Sequence, residues 1–184
     1  MPSYDDALTL FHEWTEGDSL RRHAYAVEAG MAWYAEYFGE DVETWRITGL
    51  LHDMDYEKHP SPEDHPFIGV KELEARGYPE DIRTAMLGHA TYSGVPRESQ
   101  MAKTLFAVDE LAGFITAVGY VRPDGLKGMA AKSVRKKLKD KRFAAAVSRE
   151  DITQGAEELG IELNEHIGNM IEAMQREASR LGFA

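Results

Sequence analysis

The chain has 184 residues, 43% hydrophobic and 29% charged, a balance that suits one globular domain or one domain with a helical extension. Cysteine is absent, which excludes disulfides and thiolate metal sites and leaves nitrogen and oxygen as metal donors. No apolar run reaches the roughly 18 residues of a membrane span, and the acidic start MPSYDDAL lacks the pattern of a secretory signal, so a cytoplasmic protein is expected. Residues 127–142 hold eight basic residues and one acid, Asp140; the net charge of −11 is therefore a local +7 against −18 elsewhere.

Helical signals follow one another along the chain. Asp18 or Ser19 can cap a helix running to Gly39, with an apolar stripe of Leu20, Val27, Met31, Tyr34 and Phe38 that also carries His23. A second helix starts near Asp41 and aligns Val42, Trp45, Gly49 and His52. The segment EKHPSPEDHP reads as a loop, with Pro66 at the first position of a helix reaching Gly77 and His65 just before it. Pro79 opens a helix that aligns Ile82, Met86 and His89. A long helix from about Glu98 carries Met101, Leu105, Val108, Ala112 and Ile115, with Asp109 beside that seam. Residues 121–128 break the pattern, and a basic helix follows from about Ala130. Ser148 and Asp151 fit a capping-box variant before ITQGAEELG, and a final helix spans about Leu163 to Leu181. No segment alternates long enough for a strand, so an all-α helical bundle is expected.

His23, His52, His89 and Asp109 each lie on or beside a stripe that should face the core. A buried imidazole or carboxylate is costly unless paired or metal-bound. One histidine on an apolar face is more often a hydrogen-bonded core residue than a ligand. Here, however, four ionisable residues recur on four successive helices, with Asp53 next to His52 and His65 close by. Four imidazoles and two carboxylates are too many for one open catalytic ion. They suit two ions, of iron, manganese, zinc, cobalt or nickel, with Asp53 as the natural bridge.

The order H…HD…H…H…D, in GLLHDMD (49–55), in His65 with Gly69, and in HATYSGVPRESQMAKTLFAVDEL (89–111), resembles the HD superfamily of metal-dependent phosphohydrolases. The likeness covers about residues 18–118, leaving a helical extension at about 121–184. The chain as a whole is similar to small bacterial proteins described as predicted HD hydrolases. The resemblance implies that His23, His52, Asp53 and Asp109 hold a first divalent metal, that His65 and His89 hold a second with Asp53 bridging, and that His52 and Asp53 are catalytic. It also implies hydrolysis of a phosphate ester or anhydride of a small molecule, a nucleotide above all, by metal-activated water.

The chain departs from members of the family at two points. Many relatives carry a lysine three residues after the HD aspartate, where this chain has Tyr56; Lys58 is a substitute candidate. His89 stands alone before Ala90, which argues against cyclic-dinucleotide cleavage. Lys58, Arg97, Lys103 and Arg122 are the candidates for holding substrate phosphate, and Lys132, Arg135, Lys136, Lys137 and Lys139 for an entrance wall or a solvated face. The acidic remainder speaks against nucleic acid as a partner. Glu28 and Tyr25 are either groups that orient His23 or ordinary helix residues. His59 is a candidate for the cleft, His12 and His166 for the surface, and the tryptophans and methionines for the core. Two alternatives share the ligand set: a mixed-valent di-iron oxygenase and a non-catalytic nucleotide-sensing module.

Overall fold

The computed structural model describes residues 1–183, which form nine α-helices, one short 3₁₀ turn and no strands. The all-α expectation holds. In chain order the helices are α1 (Tyr4–Trp14), α2 (Asp18–Phe38), α3 (Val42–Leu51), α4 (Phe67–Ala75), α5 (Glu80–His89), α6 (Gln100–Tyr120), α7 (Ala131–Leu138), α8 (Arg149–Leu159) and α9 (Leu163–Arg176). None of these helices is long and apolar enough to cross a membrane.

Helix α1 was not among the expected elements, yet its start has a local cause. Ser3 Oγ accepts the Asp6 backbone N–H at 3.2 Å, and the Asp6 carboxylate accepts the Ser3 N–H at 2.9 Å. That reciprocal capping box satisfies two otherwise orphan donors. Helix α2 begins at Asp18 itself, with Gly17 at the cap position in place of the expected Asp18 or Ser19. No side chain caps its first turn; the Glu57 carboxylate instead pins the chain just before it, accepting the N–H groups of Glu16 and Gly17 at 2.6 and 2.9 Å. Pro66 precedes α4 instead of opening it. Helix α9 stops at Arg176, short of Leu181. The chain then tightens into turns that bury Leu181 and bring Arg180 onto Glu28 Oε2 and the Tyr4 hydroxyl, both at 2.9 Å.

Helices α2, α3, α5 and α6 pack together and direct their apolar stripes into one core that also takes in Ile152, Ile167 and Met170 from α8 and α9. Two close approaches fix the helices that matter for the site. A Cβ at Gly49 of α3 would sit 2.9 Å from Glu28 Cα on α2. A Cβ at Gly155 of α8 would sit 2.6 Å from Ala107 Cα on α6. Only glycine allows either backbone contact. Of the tryptophans and methionines expected in the core, Trp45 and seven methionines are buried; Trp14 and Trp33 stop half-way at its edge, and Met1 is exposed.

Candidate metal centre

The six residues His23 (α2), His52 and Asp53 (the end of α3 and the following turn), His65 (before α4), His89 (the end of α5) and Asp109 (α6) converge at one place. They form two groups, His23–His52–Asp109 and Asp53–His65–His89; within each, one donor atom per residue lies within 4.8 Å of the others. Asp53 stands between the groups. Its Oδ2 is 3.4 Å from His52 Nε2 and 3.9 Å from His23 Nε2. Its Oδ1 is 3.3 Å from His65 Nε2 and 3.2 Å from His89 Nε2. Asp109 Oδ1 completes the first group, 2.9 Å from His23 Nε2 and 3.4 Å from His52 Nε2.

The far side of three rings is already engaged. His52 Nδ1–H donates to the Gly49 carbonyl at 2.7 Å, His89 Nδ1–H to the Met86 carbonyl, and His65 Nδ1–H to Asp55 Oδ1 at 2.7 Å. Asp55 is fully buried and also accepts the Gly69 N–H at 2.7 Å, so it ties the His65 ring to the start of α4. With Nδ1 protonated, a neutral ring presents its Nε2 lone pair to a carboxylate oxygen, which repels it. A positive charge between them removes the conflict: an added proton or a metal ion. His52 Nε2 makes the point most sharply, being buried with no hydrogen-bond partner.

The proton equilibria tell the same story. Burial would push the His52 imidazole down, but the Asp53 and Asp109 carboxylates outweigh it and hold it well above its ordinary value. Burial likewise opposes, and Asp53 and Asp55 reverse, the shift of His65, which is raised to about 9. Asp53 and Asp109 would be raised by burial, yet the facing imidazoles hold both well below the carboxylate range. The donor set, all imidazole and carboxylate, with outer hydrogen bonds that orient the rings, suits a divalent metal.

A model of the HD domain matches residues 20–113, just over half of the chain, and all six converging residues lie within that stretch. The chain belongs to the HD domain family. HD domains bind divalent metals, and the two His/Asp groups described above can hold such ions. No curated protein and no solved structure matches the chain.

Within this HD protein the expected phosphate contacts are absent from the cavity of about 410 Å³ that opens onto the six residues. Lys58 points to α1, where its Nζ donates to the Glu13 carbonyl at 2.9 Å and lies over Trp14. The Arg97 guanidinium is forked onto Glu158 at 2.6 and 2.7 Å and covers Phe106. Arg122 is spent on the Gly125 and Lys127 carbonyls of its own turn. Lys103 lies six residues before Asp109, about 9 Å away along α6 and about 120° around it, and its charge acts on Glu158. The basic segment on α7 contributes nothing to the cavity wall either. The wall is acidic and aromatic instead: Glu110, Asp151, Tyr56 and Tyr92 line it. Burial, then the Asp109 charge, raises the Glu110 carboxyl above its usual range.

The remaining expectations sort by contact. Glu28 is buried between Arg46 and Arg180 and does not touch His23. Tyr25 bonds His12, which is on the surface as expected. His59 packs near Trp14, outside the cavity. His166, expected at the surface, is completely buried. Its Nε2–H donates to the Ala107 carbonyl at 2.8 Å, and its Nδ1 accepts the Tyr34 hydroxyl at 2.6 Å. Sequence reasoning passed over Asp55, Glu110 and Asp151. Asp55 had a signal, since it repeats the acid two residues after Asp53; Asp151 was seen only as a capping residue.

Proposed function

We propose that this chain is a metal-dependent phosphohydrolase whose centre takes two divalent ions bridged by Asp53. The observation that carries the reading is the division of one carboxylate: Asp53 Oδ2 faces His23 and His52, while Oδ1 faces His65 and His89. Bound divalent ions supply Lewis acidity toward a phosphoryl group and lower the pKa of water. His52, fixed by the Gly49 carbonyl, and His65, fixed by Asp55, hold their Nε2 lone pairs in place for this. Two half-exposed tyrosines, Tyr56 and Tyr92, line the cavity, and aromatic rings there suit a nucleobase, which supports a nucleotide as substrate. The single hydrophobic core shared by α2, α6, α8 and α9 supports reading the chain as one domain.

The test is metal analysis of anaerobically prepared protein, followed by a panel of phosphate esters with added manganese, cobalt or iron. The expected result is two ions per chain and turnover that disappears in Asp53→Ala. Protein that holds two ions and hydrolyses no ester would overturn the proposal.

A further inference from the structure

The cavity over the metal centre contains carboxylates beyond those that face the histidines, and no lysine or arginine lines it. Glu110 follows Asp109 on α6. Asp151 comes from the first turn of α8, outside the stretch shared with other HD domains. Both are held in place. The Ser148 N–H donates to Glu110 Oε2 at 3.0 Å, Ser148 Oγ accepts the Asp151 N–H at 3.1 Å, and Gly155 lets α8 lie directly on the α6 backbone. The unpartnered, buried His52 Nε2, aimed at Asp53 and Asp109, marks where the ligand-binding end of this cavity is.

We infer that Glu110 and Asp151 form a specificity wall, which admits a phosphomonoester whose alcohol part is neutral or cationic and turns away substrates with further negative charge. The inference rests on the phosphohydrolase reading above. A single phosphate can meet the two ions. A second phosphate, or a carboxylate on the alcohol part, would lie in a cavity whose remaining ionisable groups are acids. Like charges at close range in a partly dry cavity repel, and beyond the ions no lysine or arginine lines the cavity to compensate. Hydroxyl or amine donors on the alcohol part find acceptors there instead. Polyphosphate handling requires cations for the phosphate oxygens that do not react. Of the four cations expected to hold substrate phosphate, Lys58, Arg97 and Arg122 are bonded elsewhere, and neither they nor Lys103 line the cavity.

The experiment uses the manganese-loaded full chain. Calorimetry gives the affinities of orthophosphate and pyrophosphate, and turnover gives kcat/KM for AMP and ADP. The wild type is expected to favour orthophosphate and AMP, each by about tenfold or more. Glu110→Gln with Asp151→Asn should shift both ratios about tenfold toward the more charged member, with metal content unchanged. Asp151→Asn alone, which leaves the Ser148–Glu110 bond in place, should shift them in the same direction and serves if the double variant fails to fold. A wild type that takes pyrophosphate and ADP as readily as orthophosphate and AMP, or variants that leave both ratios unmoved, would overturn the wall. The two readings fail separately. Protein that prefers orthophosphate yet hydrolyses no ester supports the wall and overturns the hydrolase, whereas equal hydrolysis of ADP and AMP supports the hydrolase and overturns the wall.

Discussion

His52 and His166 are both fully buried, and both sit on helix faces that look into the core. Their surroundings drive them in opposite directions. His166 has a partner on each ring nitrogen, Tyr34 on one and Ala107 on the other, and burial lowers it to about 4. It is a neutral, satisfied core residue. His52 has one satisfied nitrogen and one that faces two carboxylates without a hydrogen bond, and those carboxylates hold it well above its ordinary value despite burial. Burial alone therefore does not mark a ligand. What sets His52 apart as a candidate ligand is a second nitrogen left without a partner in a field that calls for positive charge.

The sharpest way to break this comparison is to remove the charge that His52 faces. On the two-ion reading proposed above, Asp53→Ala is expected to abolish metal binding. Because a metal supplies several kcal/mol toward a phosphoryl transition state, turnover should fall by on the order of 10³-fold or more. Metal content by mass spectrometry and turnover on the best ester read the two effects together. The same measurements on His166→Gln should show metal content unchanged. Loss of metal there would erase the distinction between the two histidines.

The second test uses acid. The folded value of His166 lies below its ordinary value of 6.5, so the unfolded chain binds the extra proton. Stability contributed at neutral pH is thus lost as pH falls from about 6.5 to about 4, by up to about 3 kcal/mol. In metal-free protein His65 has the reverse sign. Its value is raised to about 9, so its contribution is present below pH 6.5 and disappears as pH rises through 9. Thermal melts across pH should show the acid loss with or without metal, and the alkaline loss only without it. An acid loss that persists undiminished in His166→Gln would remove His166 as its source.

Most of the site was legible because ionisable residues recur on apolar stripes of successive helices, and packed helices point those stripes at one another. His166 shows the limit of that pattern. It was expected at the surface and is buried instead, and its partners are Tyr34, 132 positions earlier, and a backbone carbonyl 59 positions earlier. No local pattern reveals such partners. The helices were readable for the same reason as the stripes, but the start of α2 was misjudged by a residue or two, because the chain entering it is held by a distant group, the Glu57 carboxylate on Glu16 and Gly17. Asp151 joins the cavity only because Gly155 lets α8 touch α6.

Asp55 sharpens the comparison at a smaller scale. It touches His65 but neither group of converging Nε2 atoms, so it acts on the centre only by fixing a ring. Asp55→Asn should weaken metal affinity about 10–100-fold, the usual effect of losing such an outer hydrogen bond. A competitive chelator titration measures it, and an unchanged affinity would show that the His65 ring is held by packing alone.

The smallest effect is expected at Lys58, where nearness in sequence and nearness in space part company. It lies five residues after Asp53, yet its ammonium donates to the Glu13 carbonyl on the far side of the turn and rests over Trp14. Its side chain is exposed, so Lys58→Ala should cost no more than about 0.5 kcal/mol of stability. A cation that held substrate phosphate would raise KM on removal; one turned toward α1 should leave kcat and KM within about twofold of wild type. A large rise in KM would mean that the turn after Asp53 rearranges when substrate binds. The acidic wall would then face a cation after all, and its discrimination against polyphosphates should weaken accordingly.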